Sequence, residues 1–243
     1  LAAGLLYAAG PFLVTRVATG YLGVALAAAA LPWCLPHLLR PSASIARTLL
    51  AAAALGACGI GGGIFALLAA GAGVVADGPS RGVGRVAGAV LVGQLLWLGP
   101  GLIVFRQGVR LAAGADFATR APGLGGPFRL LAGHGFWQDT FQVGHGQLGV
   151  ALLGGALLVL AVLGHQALPG AWRRPAGWLA ALAVGVALAS ALPGLDTVFG
   201  RVAATPVGAP LREGQRLLPL YLVWMAPAAA LGARRLADGV TGA

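Results

Sequence analysis

The densest set of polar side chains lies in the segment 106–147, which connects two apolar stretches. Arg120 and Arg129 could clamp an anionic ligand there, because guanidinium groups form paired hydrogen bonds to phosphate oxygens. Asp116 could orient one of these arginines, and Trp137 could hold the segment at a membrane surface, where aromatic rings are favoured. The alternative is an ordinary surface connection with interfacial aromatic anchors. The composition of the segment leaves both interpretations open.

Two histidines of the same segment, His134 and His145, each stand between glycines, and Asp139 lies between them. Three such groups could bind a divalent metal, but their spacing matches no familiar helix or zinc-finger pattern. We therefore predict no metal site and no other cofactor. Asp139 is the candidate general base, because the chain has only 6 acidic residues and each is a candidate. No other catalytic residue is assigned.

A second polar group, the segment 212–216, directly precedes an apolar run. Arg212 and Arg216 could hold a lipid phosphate, with Glu213 between them orienting one of the two guanidinium groups. Arg16 stands at the start of another apolar run and has the same interpretation. The alternative is that these arginines extend to the membrane surface, with an exposed ion pair that contributes little stability.

The composition requires that these polar groups be carried by a membrane protein. The chain is 58% hydrophobic and 9% charged, with a mean hydropathy of +0.87, whereas soluble chains are about 25% charged. The excess apolar area must face lipid. All 16 basic residues are arginines and the net charge is +10, but they occur singly or in pairs between apolar runs, whereas a nucleic-acid-binding protein needs a clustered basic face. We predict membrane lipid as a partner and no nucleic acid.

Apolar runs without charge are the elements that must position these groups. A helix needs about 20 apolar residues to span a bilayer. The sequence predicts an all-α, polytopic transmembrane helix bundle with about six to eight membrane segments, forming a single domain over 1–243. Because the chain enters an apolar stretch at Leu1, we expect it to be an N-terminally truncated fragment of a longer protein. The runs are 17–39, 48–76, 86–105, 148–164, 176–192 and 217–233, with a further apolar stretch at 1–15.

The run 48–76 is long for one span and short for two. Four glycines in its middle favour a break and a short helical hairpin, because glycine readily adopts the backbone conformations of a turn. One long tilted helix is the alternative. The glycines are Gly59, Gly61, Gly62 and Gly63.

Arginine placement predicts the orientation in the membrane. With a hairpin at 48–76, the short connections fall on one side, and each carries two arginines. Such connections stay cytoplasmic, whereas long loops are translocated despite their charge. The longer loops 106–147 and 193–216 are therefore expected on the extracytoplasmic side of the cytoplasmic (inner) membrane. The arginine pairs are Arg40 and Arg47, Arg81 and Arg85, Arg173 and Arg174, and Arg234 and Arg235.

Four stretches together resemble a known family. They are AGPFLVTRVATGYLGVALAAAALPWCLP (9–36), QLLWLGP (94–100), FATRAPGLGGPFRLLAGHGFWQDT (117–140) and LREGQRLLPLYLVWMAPAAALGARRL (211–236). They are similar to stretches of multispanning bacterial envelope glycosyltransferases of the GT-C class, including mannosyl- and arabinofuranosyltransferase-like members. Relatives often have a histidine where this sequence has Tyr21. The family's usual catalytic acid lies in a loop near the N-terminus that this chain does not contain, so no catalytic residue carries over.

The resemblance implies an activity and its partners. Such an enzyme takes a sugar from a polyprenyl-phosphate donor and transfers it to an envelope glycan or glycolipid outside the cytoplasmic membrane. The alternatives are a membrane transporter or lipid flippase-type permease, and a non-catalytic membrane scaffold. The apolar runs contain no acidic residue, which disfavours an ion-coupled transporter, because such proteins bind the coupling ion at buried carboxylates.

Overall fold

Helices account for all the regular structure in the described part of the chain. The computed structural model describes residues 1–40, 44–77, 83–106, 119, 125–135, 147–205, 208, 211 and 213–241. The prediction of an all-α fold is confirmed. The elements are α1 (Ala2–Ala8), α2 (Pro11–Ala18), α3 (Leu22–Leu39), α4 (Ile45–Ala57), α5 (Ile60–Asp77), α6 (Val83–Arg106), α7 (Gly126–Leu131), α8 (Leu148–His165), α9 (Gly170–Ala189), α10 (Leu195–Ala203), a 3₁₀ helix (Gly214–Leu217) and α11 (Leu218–Thr241).

Four stretches of helix in the described residues are long and apolar enough to cross a membrane. They are Leu22–Leu39, Val83–Ile103, Leu148–His165 and Gly214–Gly239. Length and composition are thus consistent with a multi-pass membrane protein. Every apolar run of the sequence overlaps at least one of the helices.

The run 48–76 is broken, as the sequence predicts. Helix α4 ends at Ala57 and is capped by Cys58, and α5 begins at Ile60. Gly59 between them has φ +88°, a left-handed conformation that favours glycine. The two helices then run so close together that a side chain on Gly62 would collide with the Leu55 carbonyl. The hairpin is confirmed, and the single tilted helix is wrong.

Helix α11 forms the centre of the bundle. It packs against α1, α3, α8 and α9, and 72% of the residues in its most apolar stretch are buried. In the most apolar stretches of α6 and α8 only 28% of the residues are buried, so most leucines and valines of these two helices face outward. This gradient is expected when peripheral helices face lipid and a central one does not.

Glycines allow the closest helix contacts. A side chain on Gly164 of α8 would collide with the Ala228 carbonyl of α11, and one on Gly232 would collide with the Leu160 carbonyl. Small residues at such positions let helix backbones approach closely in a membrane. Gly154 likewise lies against the Phe128 carbonyl.

The two ends of the bundle differ in chemistry. At one end, Thr119 of the segment 106–147 meets Ser190 and Gln215; we call this the loop end. At the other, Arg235 Nη1 donates a hydrogen bond to the Leu163 carbonyl, 2.8 Å away, and the arginines are exposed or half-buried; we call this the arginine end. Its described arginines are Arg40, Arg47, Arg85, Arg173, Arg174, Arg234 and Arg235.

Candidate functional site

Four of the site residues named from the sequence have described positions. Arg16 lies in α2, Arg129 in α7, Glu213 directly before the 3₁₀ helix, and Arg216 within it. The other candidates lie outside the described residues: Arg120, Arg212, Asp116, Trp137 and Asp139.

Arg16, Glu213 and Arg216 form one buried ion-pair cluster, which we call the Arg–Glu–Arg cluster. Arg16 Nη1 donates to Glu213 Oε2 at 3.1 Å, and Arg216 Nη2 donates to Glu213 Oε1 at 2.6 Å. The side chains of Arg16 and Glu213 are each 1% exposed, and that of Arg216 is 11% exposed. The sequence-based alternative of an exposed ion pair is therefore wrong for Glu213. Two guanidinium groups against one carboxylate leave the cluster with a net positive charge.

Helix α2 and the turn after it position Arg16. Phe12 precedes Arg16 by four residues and so lies on the same helix face. Gly20, with φ +75°, turns the chain after α2, and the Tyr21 amide donates to the Arg16 carbonyl at 2.9 Å. The rings of Phe12 and Tyr21 each lie 5.2 Å from Arg16 Cζ, within range of cation–π attraction. The guanidinium is thus held between two rings and a carboxylate.

The 3₁₀ helix positions Glu213 relative to Arg216. The Arg216 amide donates to the Glu213 carbonyl at 2.8 Å, and side chains three residues apart are eclipsed in this helix type. The Glu213 carboxylate and the Arg216 guanidinium therefore lie on the same side of the 3₁₀ helix, close enough to form their ion pair. Gly214 lies between them and against Ser190, where any side chain would collide with the Ser190 hydroxyl. This glycine allows the segment to pack directly on the end of α9.

A layer of uncharged polar groups lies beside the cluster. The hydroxyls of Thr119 and Ser190 hydrogen-bond to one another, and Thr119 Oγ1 donates to Gln215 Oε1 at 3.0 Å. Gln215 is 1% exposed, and its Nε2 has no acceptor among the residues that the structure describes. Sequence reasoning missed this layer. Ser190, a polar residue in the run 176–192, was the available signal.

The stretch 130–135 of the segment 106–147 belongs to the protein core. Residues 130–135 are all buried, and His134 is 4% exposed. The Arg129 guanidinium is close to Gly125, with Nη2 3.3 Å from where a Gly125 Cβ would lie. An ordinary surface connection is therefore excluded for this stretch. In the described ranges, no three His, Cys, Asp or Glu side chains are grouped so that they could hold a metal ion.

An apolar groove starts next to the Arg–Glu–Arg cluster. Arg216 Cδ lies 3.7 Å from where a Gly61 Cβ would stand, which places it against the first turn of α5. The groove has a volume of about 340 Å³ and runs between α5, α6, α9 and the 3₁₀ helix. Its lining includes Ile60, Trp97 and Leu217. A cation beside an apolar groove is the arrangement that a lipid with an anionic headgroup requires.

The groove continues along α5 towards the arginine end. A second hollow of about 340 Å³ shares Leu67, Leu68 and Leu182 with the first and reaches Val75 and Trp178. From Ile60 to Val75, at about 1.5 Å per residue, α5 advances roughly 22 Å. That is most of the hydrocarbon thickness of a bilayer, which is about 30 Å.

No protein-family model, curated protein or solved structure matches the chain.

Proposed function

We propose that this chain binds a lipid phosphate. The phosphate would lie at the Arg–Glu–Arg cluster, and the lipid chain would lie in the apolar groove that starts next to the cluster and follows α5. The observation that carries the proposal is the net positive charge of a buried cluster at the end of an apolar groove. A bound phosphate would balance the charge that Glu213 leaves uncompensated. Arg216 is the most exposed of the three side chains, and its Nε has no acceptor among the described residues.

The lipid we propose is a polyprenyl-phosphate-linked sugar, and the activity is that of a GT-C-type glycosyltransferase acting on an envelope glycan or glycolipid. Support comes from where the four resembling stretches lie. Those at 9–36 and 211–236 supply the cluster, and 117–140 supplies Thr119, which contacts Gln215. The stretch 94–100 supplies Trp97 of the groove. All four converge on one region although they are far apart in the sequence.

In the proposed reaction, the arginines stabilise the negative charge that develops on the phosphate leaving group, because preorganised cations act most strongly in a water-poor site. Arg16 and Arg216 are the two arginines of the Arg–Glu–Arg cluster that would stabilise this charge. Arg120, Arg129 and Arg212 are further candidates for the same phosphate. Asp139 is the candidate general base for the acceptor hydroxyl.

The proposal includes a membrane arrangement. The α4–α5 hairpin, α9 and the α1–α2 pair would enter the bilayer beside the four long spans, giving about six to eight segments. The loop end would face the extracytoplasmic side of the cytoplasmic membrane. Support comes from the arginines at the opposite end, since short arginine-bearing connections stay cytoplasmic.

A lipid flippase-type permease is the second candidate. The length of the groove along α5 favours it. A groove that extends across most of the bilayer thickness gives a lipid a route from one membrane surface to the other. The two candidates share the lipid-phosphate site and differ in whether a sugar is transferred.

The test is binding of a polyprenyl-phosphate analogue to the purified full-length protein. Arg216→Gln removes the net charge but leaves Arg16 and Glu213 as a neutral pair, so the fold should persist. Loss of a charge-assisted contact is expected to weaken binding about ten- to a hundredfold. Arg106→Gln is the matched control, because Arg106 is an exposed arginine at the C-terminal end of α6, and its affinity should be unchanged.

Unchanged affinity of the folded Arg216→Gln protein would refute the site. Transfer of a labelled sugar from a polyprenyl-phosphate donor to an acceptor then separates the two candidates. Binding without transfer, together with lipid movement between the leaflets of a vesicle, would favour the permease.

A further inference from the structure

Helix α10, at the loop end, carries an exposed apolar face. Leu195, Val198 and Val202 are 51%, 57% and 52% exposed. Their spacing of three and four residues puts them on one face of the helix. Ala203 is the buried residue of this helix, so α10 lies on the outside of the described structure.

The polar residues of α10 flank or oppose this face. Asp196 stabilises the helix start, accepting hydrogen bonds from the Gly194 amide at 2.9 Å and the Thr197 amide at 2.7 Å. Thr197 is exposed, and exposed Arg201 follows Val198 by three residues at the border of the apolar face. The helix is therefore amphipathic, with a cation at the boundary between its two faces.

Helix α10 lies level with the end of a bundle helix. Helix α9 ends at Ala189, and Ser190 belongs to the polar layer of the loop end. Helix α10 begins at Leu195, after a turn at Gly194 with φ +86°. Leu192, in the short connection, is itself 38% exposed. Exposed apolar side chains thus continue from the end of α9 into the apolar face of α10.

Described residues after α10 link it to the groove beside the Arg–Glu–Arg cluster. Thr205 Oγ1 donates to the Val202 carbonyl at 2.7 Å and accepts from the Gly208 amide at 3.0 Å. A side chain on Gly208 would collide with Val202. Leu211, whose amide donates to the Gly208 carbonyl at 2.8 Å, then lines the groove. These contacts place α10 close to the groove entrance.

We propose that α10 is an interfacial helix that lies flat on the bilayer, with Leu195, Val198 and Val202 in the acyl region and Arg201 at the lipid phosphates. Lipid is favoured over a protein partner for two reasons. The face combines aliphatic side chains with half-buried Phe199, which follows Leu195 by four residues, and this is the composition of the apolar side of helices that bind membrane surfaces. It is also continuous with the end of a bundle helix and bordered by a cation, as in helices that bind membrane surfaces.

The experiment measures the surroundings of single cysteines in the full-length protein. The background carries Cys34→Ala and Cys58→Ala, and the protein is reconstituted in vesicles of phosphatidylethanolamine and phosphatidylglycerol. An environment-sensitive fluorophore is attached at Val198→Cys or, as the matched control on the polar side, at Thr197→Cys. Leu152→Cys on α8, where Leu152 is 65% exposed, provides a reference for lipid contact.

The Val198→Cys fluorophore should emit at shorter wavelength, be quenched by lipids brominated on the acyl chain, and resist aqueous iodide. The Thr197→Cys fluorophore should show the reverse. Equal iodide quenching at both positions would mean that the face is in water and would overturn the proposal. Protection of the Val198→Cys fluorophore from both quenchers would mean that protein covers the face, and would overturn it equally.

Discussion

Glu213 connects the two arginines that the rest of the fold buries. Among the described residues it is the one buried acid, and each of its oxygens accepts a hydrogen bond from a different arginine. Removing one partner of a buried ion pair costs more than the pair contributes, because the remaining charge stays desolvated. Here one substitution would leave two cations uncompensated.

We predict that Glu213→Gln lowers the free energy of unfolding by about 3–5 kcal/mol. Thermal or denaturant unfolding in detergent micelles measures it. Asp238→Asn is the matched control: Asp238 is 3.6 Å from Arg234, but the two side chains are 69% and 78% exposed, and exposed pairs contribute little. Equal stability of the Glu213→Gln and wild-type proteins would contradict the role of the carboxylate.

For the residues of the cluster, the sequence indicated which side chains could bind an anion, but it predicted only one of the two ion pairs. The Arg216–Glu213 pair follows from their spacing in the chain. Arg16 pairs with Glu213 across 197 positions, which no local pattern indicates. Burial was also missed, because an arginine next to an apolar run has the same sequence whether it faces the headgroups or a carboxylate.

Helices α8 and α11 are held together by direct backbone contact at Gly164 and Gly232. We predict that Gly164→Ala lowers the free energy of unfolding by about 1–3 kcal/mol, because a methyl group there forces the two helices apart. A Cβ on Gly149 of the same helix would meet nothing within 4 Å, so Gly149→Ala should leave stability unchanged or raise it. Unfolding in micelles compares the two variants. A neutral Gly164→Ala would show that the helices are not in contact there.

The α4–α5 turn requires glycine at position 59 because of the left-handed backbone conformation there, and not because a side chain would collide with a neighbour. We predict that Gly59→Ala lowers the free energy of unfolding by about 1–2 kcal/mol, the cost of a left-handed alanine. Gly71→Ala in α5 is the control: a Cβ at either position would meet nothing within 4 Å, but Gly71 has ordinary helical backbone. Its replacement should stabilise the protein by up to about 1 kcal/mol. If both substitutions changed the free energy of unfolding in the same direction, the conformational explanation would be contradicted.

Periodicity and apolar length predicted the helices well because a membrane helix satisfies its backbone internally. The break at Gly59 was predictable for the same reason, since a glycine cluster weakens a helix at a known place. Which glycine meets another helix was less predictable, because it depends on how each helix is rotated. Gly154 lies in close contact with another helix, whereas Gly185, which is equally small, has open space around it. Helix α10 has only 9 residues, about two and a half turns, which is too short for its periodicity to stand out from a loop.

The two ends of the described structure hold their arginines differently. The arginine end carries exposed or half-buried guanidinium groups, whereas the loop end buries Arg16 and Arg216 with their carboxylate and exposes Arg201 of α10. Exposed arginines on short connections favour the cytoplasmic side, where the leaflet is anionic and the membrane potential retains positive charge. The orientation proposed above, with the loop end outside, rests on this difference and on the positive-inside rule.

We predict that an impermeant maleimide added to intact cells labels Thr197→Cys at the loop end and not Ala171→Cys at the arginine end, each in the Cys34→Ala, Cys58→Ala background. Opening the cells should make Ala171→Cys reactive, which controls for its accessibility. Equal labelling of both positions from outside would contradict the orientation.

The connection between Arg16 and Glu213 also has a consequence for biosynthesis. Arg16 leaves the ribosome 197 residues before its carboxylate, roughly 10–40 s earlier at about 5–20 residues per second. During that interval the guanidinium lacks the carboxylate that compensates its charge in the folded protein, so packing α2 into the bundle would bury an uncompensated charge. The loop end of the bundle therefore cannot form its buried ion pairs until the segment that carries Glu213 has been synthesised. Chains that stop before Glu213 are expected to keep Arg16 out of the bundle, because a buried guanidinium without its carboxylate is strongly unfavourable.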